Sequence, residues 1–333
     1  MAEPLLPAAD PAAVAKAVVR ARDGLARHGT PLARALLARL IDPAAPLAPV
    51  IAGLMACRNA DGGFGHAMEP DAFDPWSSVL DTTVALRLAD LAGVPAEHPL
   101  RTAAIGYLAG ACDRRISAWW IRPRLPAADR SAPWWQAASL RELQVRFAGG
   151  HINPAAEVAA HLLAHAAHRP QDLPAGCAGE AAARATAAIE TRRDEMEMHE
   201  MLCAARLLQA VTAHPGGDGA EESLRLRLAG RLNHLLPRTI EPDPAKWSGY
   251  GLRPLDVLTT SDHPLAGAVP ADLIARNLDH LLAEQDPAGL WRPRWSWAEV
   301  NADLWAMAHT AWSGLLTVEA VATLLAWRES QSL

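Results

Sequence analysis

Apolar residues recur at intervals of three and four along most of the chain, and alternating apolar-polar runs are almost absent, so the pattern predicts helices rather than a sheet. Ala, Leu and Arg fill these stretches while Val and Ile are sparse, and intrinsic propensity points the same way. The expected helices span about 12–28, 31–41, 46–58, 77–92, 99–111, 132–147, 154–168, 178–191, 194–213, 220–235, 271–284, 298–314 and 317–328, with Pro and Gly at most of the joints. The fold class expected is all-α, in a single domain over residues 1–333.

Two interruptions of this pattern resemble each other. Residues 59–65 read NADGGFG and residues 285–291 read QDPAGLW. Each follows a helical segment, passes through a Gly-containing turn that ends in an aromatic, crosses a loop and enters another helical segment. The repeated unit is therefore helix, aromatic turn, helix. The middle of the chain keeps the paired-helix beat without the turn: 99–111 with 131–147, 154–168 with 194–211, and 221–236 with a Pro-rich stretch. About six such pairs fit the length at ordinary helix and loop sizes. Paired helices of this kind stack as an open solenoid or close into a barrel, and periodicity does not choose between them.

A hydrophobic fraction of 50% supports a large core, and a net charge of −6 without like-charge blocks gives no footprint for nucleic acid. Cys57, Cys112, Cys177 and Cys203 are far apart and form no CxxC pair, which suits free thiols and a cytoplasmic location. The N-terminal stretch has no basic leader, and no apolar run reaches the roughly 18 residues of a membrane span.

The two turns resemble the QW-type repeat of the terpenoid cyclase and protein prenyltransferase superfamily, in which a Gln and an aromatic tie an outer helix to the turn after it. Gln285 and Trp291 fit, as do Asp61, Gly62, Gly63 and Phe64, while Arg58 stands where the first copy should carry Gln. The resemblance implies an (α/α)6 toroid, a hydrophobic isoprenoid or polyene substrate, and acid-initiated cyclisation or isomerisation without a cofactor or metal. In class II cyclases an inner helix opens on an Asp-rich motif whose middle Asp is the proton donor. Here residues 79–83 read VLDTT, so the resemblance puts Asp81 at the donor position and Val79 where the first Asp belongs. No Asp-Asp dipeptide exists, which disfavours magnesium-dependent diphosphate ionisation, and His309 alone matches the prenyltransferase zinc site.

Read without the analogy, Asp81 is equally a first-turn acid stabilised by the helix dipole. Glu69 and Asp71, flanking Pro70, are candidate helpers for it or solvated loop charges. Glu197, His199 and Glu200 crowd one helix start; Glu200 is a candidate acid/base and His199 a candidate terminal base. Twelve tryptophans against three phenylalanines and two tyrosines supply cation-attracting, apolar faces. Trp76, Trp134, Trp135 and Trp305 are the expected pocket walls, with Tyr250 and Asp262 on a Pro- and Gly-rich loop over it. His161 and His165, spaced i and i+4, are expected on the surface of an outer helix. Two alternatives share the architecture: a sugar-active enzyme with paired carboxylates on Glu69, Asp71 and Glu200, and a binding toroid without catalysis.

Overall fold

The computed structural model describes residues 7–214 and 219–328. Residues 1–6, part of the stretch read above as lacking a leader, lie outside the described residues. The described helices are α1 (Pro11–His28), α2 (Pro31–Ile41), α3 (Ala48–Met55), α4 (Val79–Leu91), α5 (Pro99–Gly110), α6 (Leu140–Arg146), α7 (Ala155–His168), α8 (Cys177–Glu190), α9 (Met198–Ala213), α10 (Gly219–Thr239), α11 (Pro254–Val257), α12 (Ala271–Ala283) and α13 (Ala302–Arg328). One small antiparallel hairpin, β1 (Cys112–Asp113) with β2 (Ala118–Trp119), interrupts them. The protein is all-α.

Helix starts follow local chemistry. Asp10, Thr30 and His98 each accept a hydrogen bond from the first turn of α1, α2 and α5, and each is followed by a Pro whose missing N–H is no loss there. Glu197 accepts from the backbone N–H groups of His199 and Glu200, so α9 begins at Met198 rather than at 194. Three other boundaries depart from the sequence pattern. The helix expected at 132–147 is only α6, because Pro133 opens a short 3-10 turn and Ser139 starts a new helix by capping Glu142. The expected break before 317 is absent, since the Thr317 hydroxyl bonds the Ser313 carbonyl within α13 and does not cap a new helix. A one-turn helix, α11, lies in the Pro-rich stretch where none was expected.

Packing relates these elements in a fixed order. α2 lies against α4, α4 against α7, α7 against α9 and α9 against α11, while α13 returns to α2. α5 packs on α4 and α7, α8 on α7 and α9, α10 on α8 and α9, and α12 on α11. α1 packs on α2, α12 and α13, so the last helices meet the first. By length and composition α13 is apolar enough to cross a membrane, unlike the runs weighed in the sequence, and just over half of that window is buried inside the protein. The four cysteines are free.

Two glycines locate the close approaches. Gly62 and Gly289 have φ of 89° and 88°. A Cβ on Gly62 would lie 2.6 Å from the Ala103 carbonyl oxygen in α5, and one on Gly289 would lie 2.1 Å from that of Arg20 in α1. Each turn is thus pressed onto a neighbouring helix, α5 for the first and α1 for the second, by a residue that must be glycine.

Candidate active site

A cavity of about 2030 Å³ is lined from α2, α4, α7, α9, α11, α12 and α13 and from the loops after both Gly turns. Its wall carries ten carboxylates and seven guanidinium groups, with aromatic rings from Trp134, Trp135, Phe147, Tyr250, Trp291, Trp295 and Trp312.

The first turn sets one end of this wall. Beyond Gly65 the backbone enters the left-handed region at two non-glycine residues, His66 (φ 54°) and Ala67 (φ 60°). This strained pair is held by His66 N–H donating to the Asp74 carbonyl at 2.8 Å and by the His66 ring against Asn59 at 3.0 Å. The strained bend swings Glu69 and Asp71 onto the cavity. Segment 72–73 pairs with 130–132: Phe73 N–H donates to the Arg130 carbonyl, and Ala132 N–H to the Asp71 carbonyl, both at 2.8 Å.

Arg122, 1% exposed, is the hub of a buried charge cluster. Its Nη2 donates to Glu69 Oε2 at 2.7 Å and its Nη1 to Asp81 Oδ2 at 3.1 Å. Its guanidinium sits 4.5 Å over the Trp135 ring, which stacks on Phe147 at 5.5 Å. Asp81 also accepts from the Glu69 N–H at 2.9 Å and from the Ser78 hydroxyl, which in turn caps α4. Asp71 is fixed differently: its two oxygens accept the indole N–H groups of Trp297 at 2.7 Å and Trp295 at 3.2 Å.

One guanidinium faces two carboxyls directly, with a third nearby, in a buried space. Burial therefore outweighs the attraction of Arg122 and pushes Glu69 up to about 8, with Asp71 and Asp81 adding repulsion. Burial also raises Asp71, opposed by the indole hydrogen bonds. Glu69 thus keeps its proton near neutrality, as a general acid must.

The start of α9 brings a second set to the same cavity. Glu197, His199, Glu200 and Cys203 all line the wall. His199 bridges Glu197, 2.7 Å from its Nδ1, and the Tyr250 hydroxyl, 3.0 Å from its Nε2. Glu200 is tied to Arg192 at 2.9 Å, which makes it an ion-pair partner rather than a free acid.

A third set lies among the helices. Glu157 of α7 joins Arg87 of α4 at 3.2 Å and Arg206 of α9 at 2.9 Å; although burial opposes ionisation, the two guanidiniums hold this carboxyl far below its ordinary range. Glu319 of α13 faces the cavity with no hydrogen bond or ion pair among the described residues, and burial raises it.

Asp81, the donor implied by the resemblance, is 1% exposed and does not line the cavity; its oxygens hold Glu69 and Arg122 in place. Trp134 and Trp135 are on the wall, but Trp76 and Trp305 are not. Trp76 lies under Arg124 at 5.7 Å because Asn59 pins the neighbouring Pro75 carbonyl, and Trp305 packs on Trp297 at 5.6 Å. Tyr250 lines the cavity, whereas Asp262 is exposed elsewhere because its neighbours Leu258 and His263 turn inward. His161 and His165 are buried, 7% and 0% exposed, and not on an outer surface: α7 is sandwiched by α4, α5, α8 and α9, and His165 meets Asp172 at 3.0 Å.

Sequence reasoning missed Arg122, Trp295, Trp297, Glu157 and Glu319 as site residues. Glu157 and Glu319 carried a usable signal, a single acid on an otherwise apolar helix face (AAEVAA, TVEAVA). Arg122 carried none, since its partners come from 41 and 53 positions away. No protein-family model matches the chain, and no curated protein matches it either.

Proposed function

We propose that the helices close into a double ring, an (α/α)6 toroid, and that the protein is a terpenoid cyclase-like enzyme using an acid pair at the cavity wall. The neighbour order supports the ring: α2, α4, α7, α9 and α11 follow one another, and α13 packs back on α2, with α1, α3, α5, α8, α10 and α12 preceding these helices in the chain. The seating of Gly289 on α1, at the far end of the sequence, supports closure.

Glu69 is the proton donor in this reading, and Asp81 is its positioning residue. The Glu69 carboxyl gives its proton to one carbon of a substrate alkene; a C–H bond forms, the π pair is consumed, and the neighbouring carbon becomes cationic. Asp71, clamped by two indoles, faces that charge, and the surrounding rings exclude water that would otherwise quench it. A ring-forming or double-bond-shifting step ends when a neighbouring C–H bond yields its proton to a base. The substrate is a hydrophobic isoprenoid or polyene, and four free thiols suit a reducing, cytoplasmic setting.

The observation that carries the reading is the pair itself: the buried Glu69 held by Arg122, beside an Asp71 held by Trp295 and Trp297. The charged wall favours a second reading, a sugar-active enzyme, because ten carboxylates and seven guanidiniums suit hydroxyl groups better than a hydrocarbon does. The test is incubation with prenyl alcohols, prenyl diphosphates, epoxides and oligosaccharides, followed by mass spectrometry. Wild-type activity on an isoprenoid should fall as pH rises through about 8, where Glu69 loses its proton. Glu69→Gln should lower turnover by about 10²-fold or more, and Asp71→Asn by about tenfold or more. Undiminished turnover in both variants removes the acid pair from the mechanism, and product from an oligosaccharide alone selects the second reading.

A further inference from the structure

Beside Asp71 the aromatic rings form a corner with its own geometry. Tyr250 and Trp295 meet at 5.7 Å with planes 77° apart, and Trp295 and Trp312 meet at 5.1 Å with planes 80° apart. Successive near-perpendicular contacts tie the three rings into one continuous aromatic patch. All three residues line the cavity. Tyr250 is 56% exposed, which places this corner at an accessible part of the wall.

The charges around the corner have one sign in excess. Asp71 accepts both indole N–H bonds on its oxygens and, among the described residues, makes no direct ion pair, with the buried Arg122 guanidinium acting on it only from further off. Glu197 stands behind His199, whose ring reaches the Tyr250 hydroxyl at 3.0 Å. Two guanidiniums are near, and both are engaged. Arg294 binds Asp256 at 3.2 Å and the carbonyls of Gly249 and Gly251, and Arg292 binds Asp286 at 2.7 Å. The Tyr250 phenol is neutral near pH 7, so its ring face keeps its quadrupole.

We propose that the corner formed by Tyr250, Trp295 and Trp312 beside Asp71 is a binding subsite for a stable organic cation, an alkylated ammonium group carried by the ligand. Ring faces attract a diffuse cation without a strong desolvation penalty, and a carboxylate set behind them adds a field that a bare metal ion would need to meet directly. The subsite shares Asp71 with the acid pair but does not depend on turnover: it concerns a ligand's permanent charge and is read by binding alone.

The experiment is a titration of the full chain, followed by tryptophan fluorescence and calorimetry, with tetramethylammonium, choline and 3,3-dimethylbutan-1-ol, the uncharged isostere of choline. Choline should bind about tenfold or more tighter than the neutral alcohol, a ratio in the range that cation–π contacts produce. Tyr250→Ala, at an exposed loop position, and Asp71→Asn should each weaken choline about three- to thirtyfold and leave the neutral alcohol within about twofold. Glu69→Gln separates the two readings: choline binding retained with turnover lost leaves both standing. Equal affinity for choline and the alcohol, choline binding unchanged in both Tyr250→Ala and Asp71→Asn, or no binding of either cation overturns the subsite.

Discussion

The two Gly turns share one fastening and differ in what they carry. In each, an Asp accepts a backbone N–H within the turn: Gly63 donates to Asp61 at 3.0 Å and Leu290 to Asp286 at 2.9 Å. In each, the aromatic residue's own N–H donates to a threonine of the following helix, Phe64 to Thr82 at 3.1 Å and Trp291 to Thr317 at 3.0 Å. Each threonine hydroxyl then bonds a serine carbonyl one turn back, Thr82 to Ser78 and Thr317 to Ser313. The difference begins at that serine. Ser78 caps the start of α4 and puts Asp81 in its first turn, whereas Ser313 lies eleven residues inside α13, and the position matching Asp81 is Leu316. Between turn and serine, the first copy carries Glu69, Asp71 and Asp74 with one tryptophan, and the second carries Trp295, Trp297, Trp305 and Trp312. These two insertions meet where the indoles clamp Asp71. The repeat builds the frame, and the residues proposed for chemistry lie in the unequal insertions.

The largest effect should come from cutting the joint that only the first copy has. Arg122→Met leaves Glu69 and Asp81 buried without their cation, a change expected to cost about 3–5 kcal/mol. It has a signed pH dependence. The native carboxyl of Glu69 lies above its unfolded value, so the native state holds the extra proton; this group's stabilisation is present below the unfolded value and is lost as pH rises through about 8. Without Arg122 the native value climbs further, so the variant's deficit should be larger at pH 8 than at pH 5. Urea denaturation at the two pH values measures this, and an equal deficit at both would assign Arg122 a packing role through Trp135 instead.

A smaller loss should follow from forcing a side chain into either turn. Gly289→Ala and Gly62→Ala combine a left-handed backbone with a Cβ placed 2.1 Å and 2.6 Å from a carbonyl oxygen, at about 2–4 kcal/mol each. Thermal denaturation compares them directly. Gly62 joins neighbours in the chain, while Gly289 joins the two ends of it, so a loss in Gly289→Ala matching that in Gly62→Ala makes closure as stabilising as any internal joint. A negligible loss in Gly289→Ala argues for an open stack.

The frame was far more legible than the site. Periodicity, Pro–cap pairs and the two Gly turns gave the helical class and most helix positions, because those signals are local. They failed where a hydroxyl had two uses: Thr317 reads as a helix start but satisfies a carbonyl inside α13. Of the residues singled out from type and position, Glu69, Asp71, Trp135 and Tyr250 line the cavity. Asp81 stood out for its motif; it lies 1% exposed and off the cavity wall, with its oxygens taken by hydrogen bonds from Glu69, Ser78 and Arg122. Arg122 and the indoles on Asp71 were invisible, the latter being 224 and 226 positions away in sequence. Distance of that kind leaves no periodic trace.

The finest test of the shared fastening is a pair of conservative changes. Thr82→Val and Thr317→Val keep shape and remove one hydroxyl, leaving the N–H of Phe64 or Trp291 buried without its acceptor. Each should lose about 1–2 kcal/mol, the ordinary penalty for an unsatisfied buried donor. If the turns are equivalent devices, the two losses agree and the double variant is additive, because the sites share no partner. Thr82 also lies one residue from Asp81, and the bond that its hydroxyl makes to the Ser78 carbonyl steadies the cap that orients the Asp81 carboxylate. Thr82→Val should therefore lower turnover about two- to fivefold beyond any loss of folded protein, through a small displacement of Glu69, while Thr317→Val leaves turnover unchanged. Denaturation curves and steady-state rates on the same preparations separate the two effects. Equal stability losses with unequal rates are the expected signature of one frame serving two different insertions, and a matching rate loss in Thr317→Val would mean that the second turn positions the reacting groups as directly as the first.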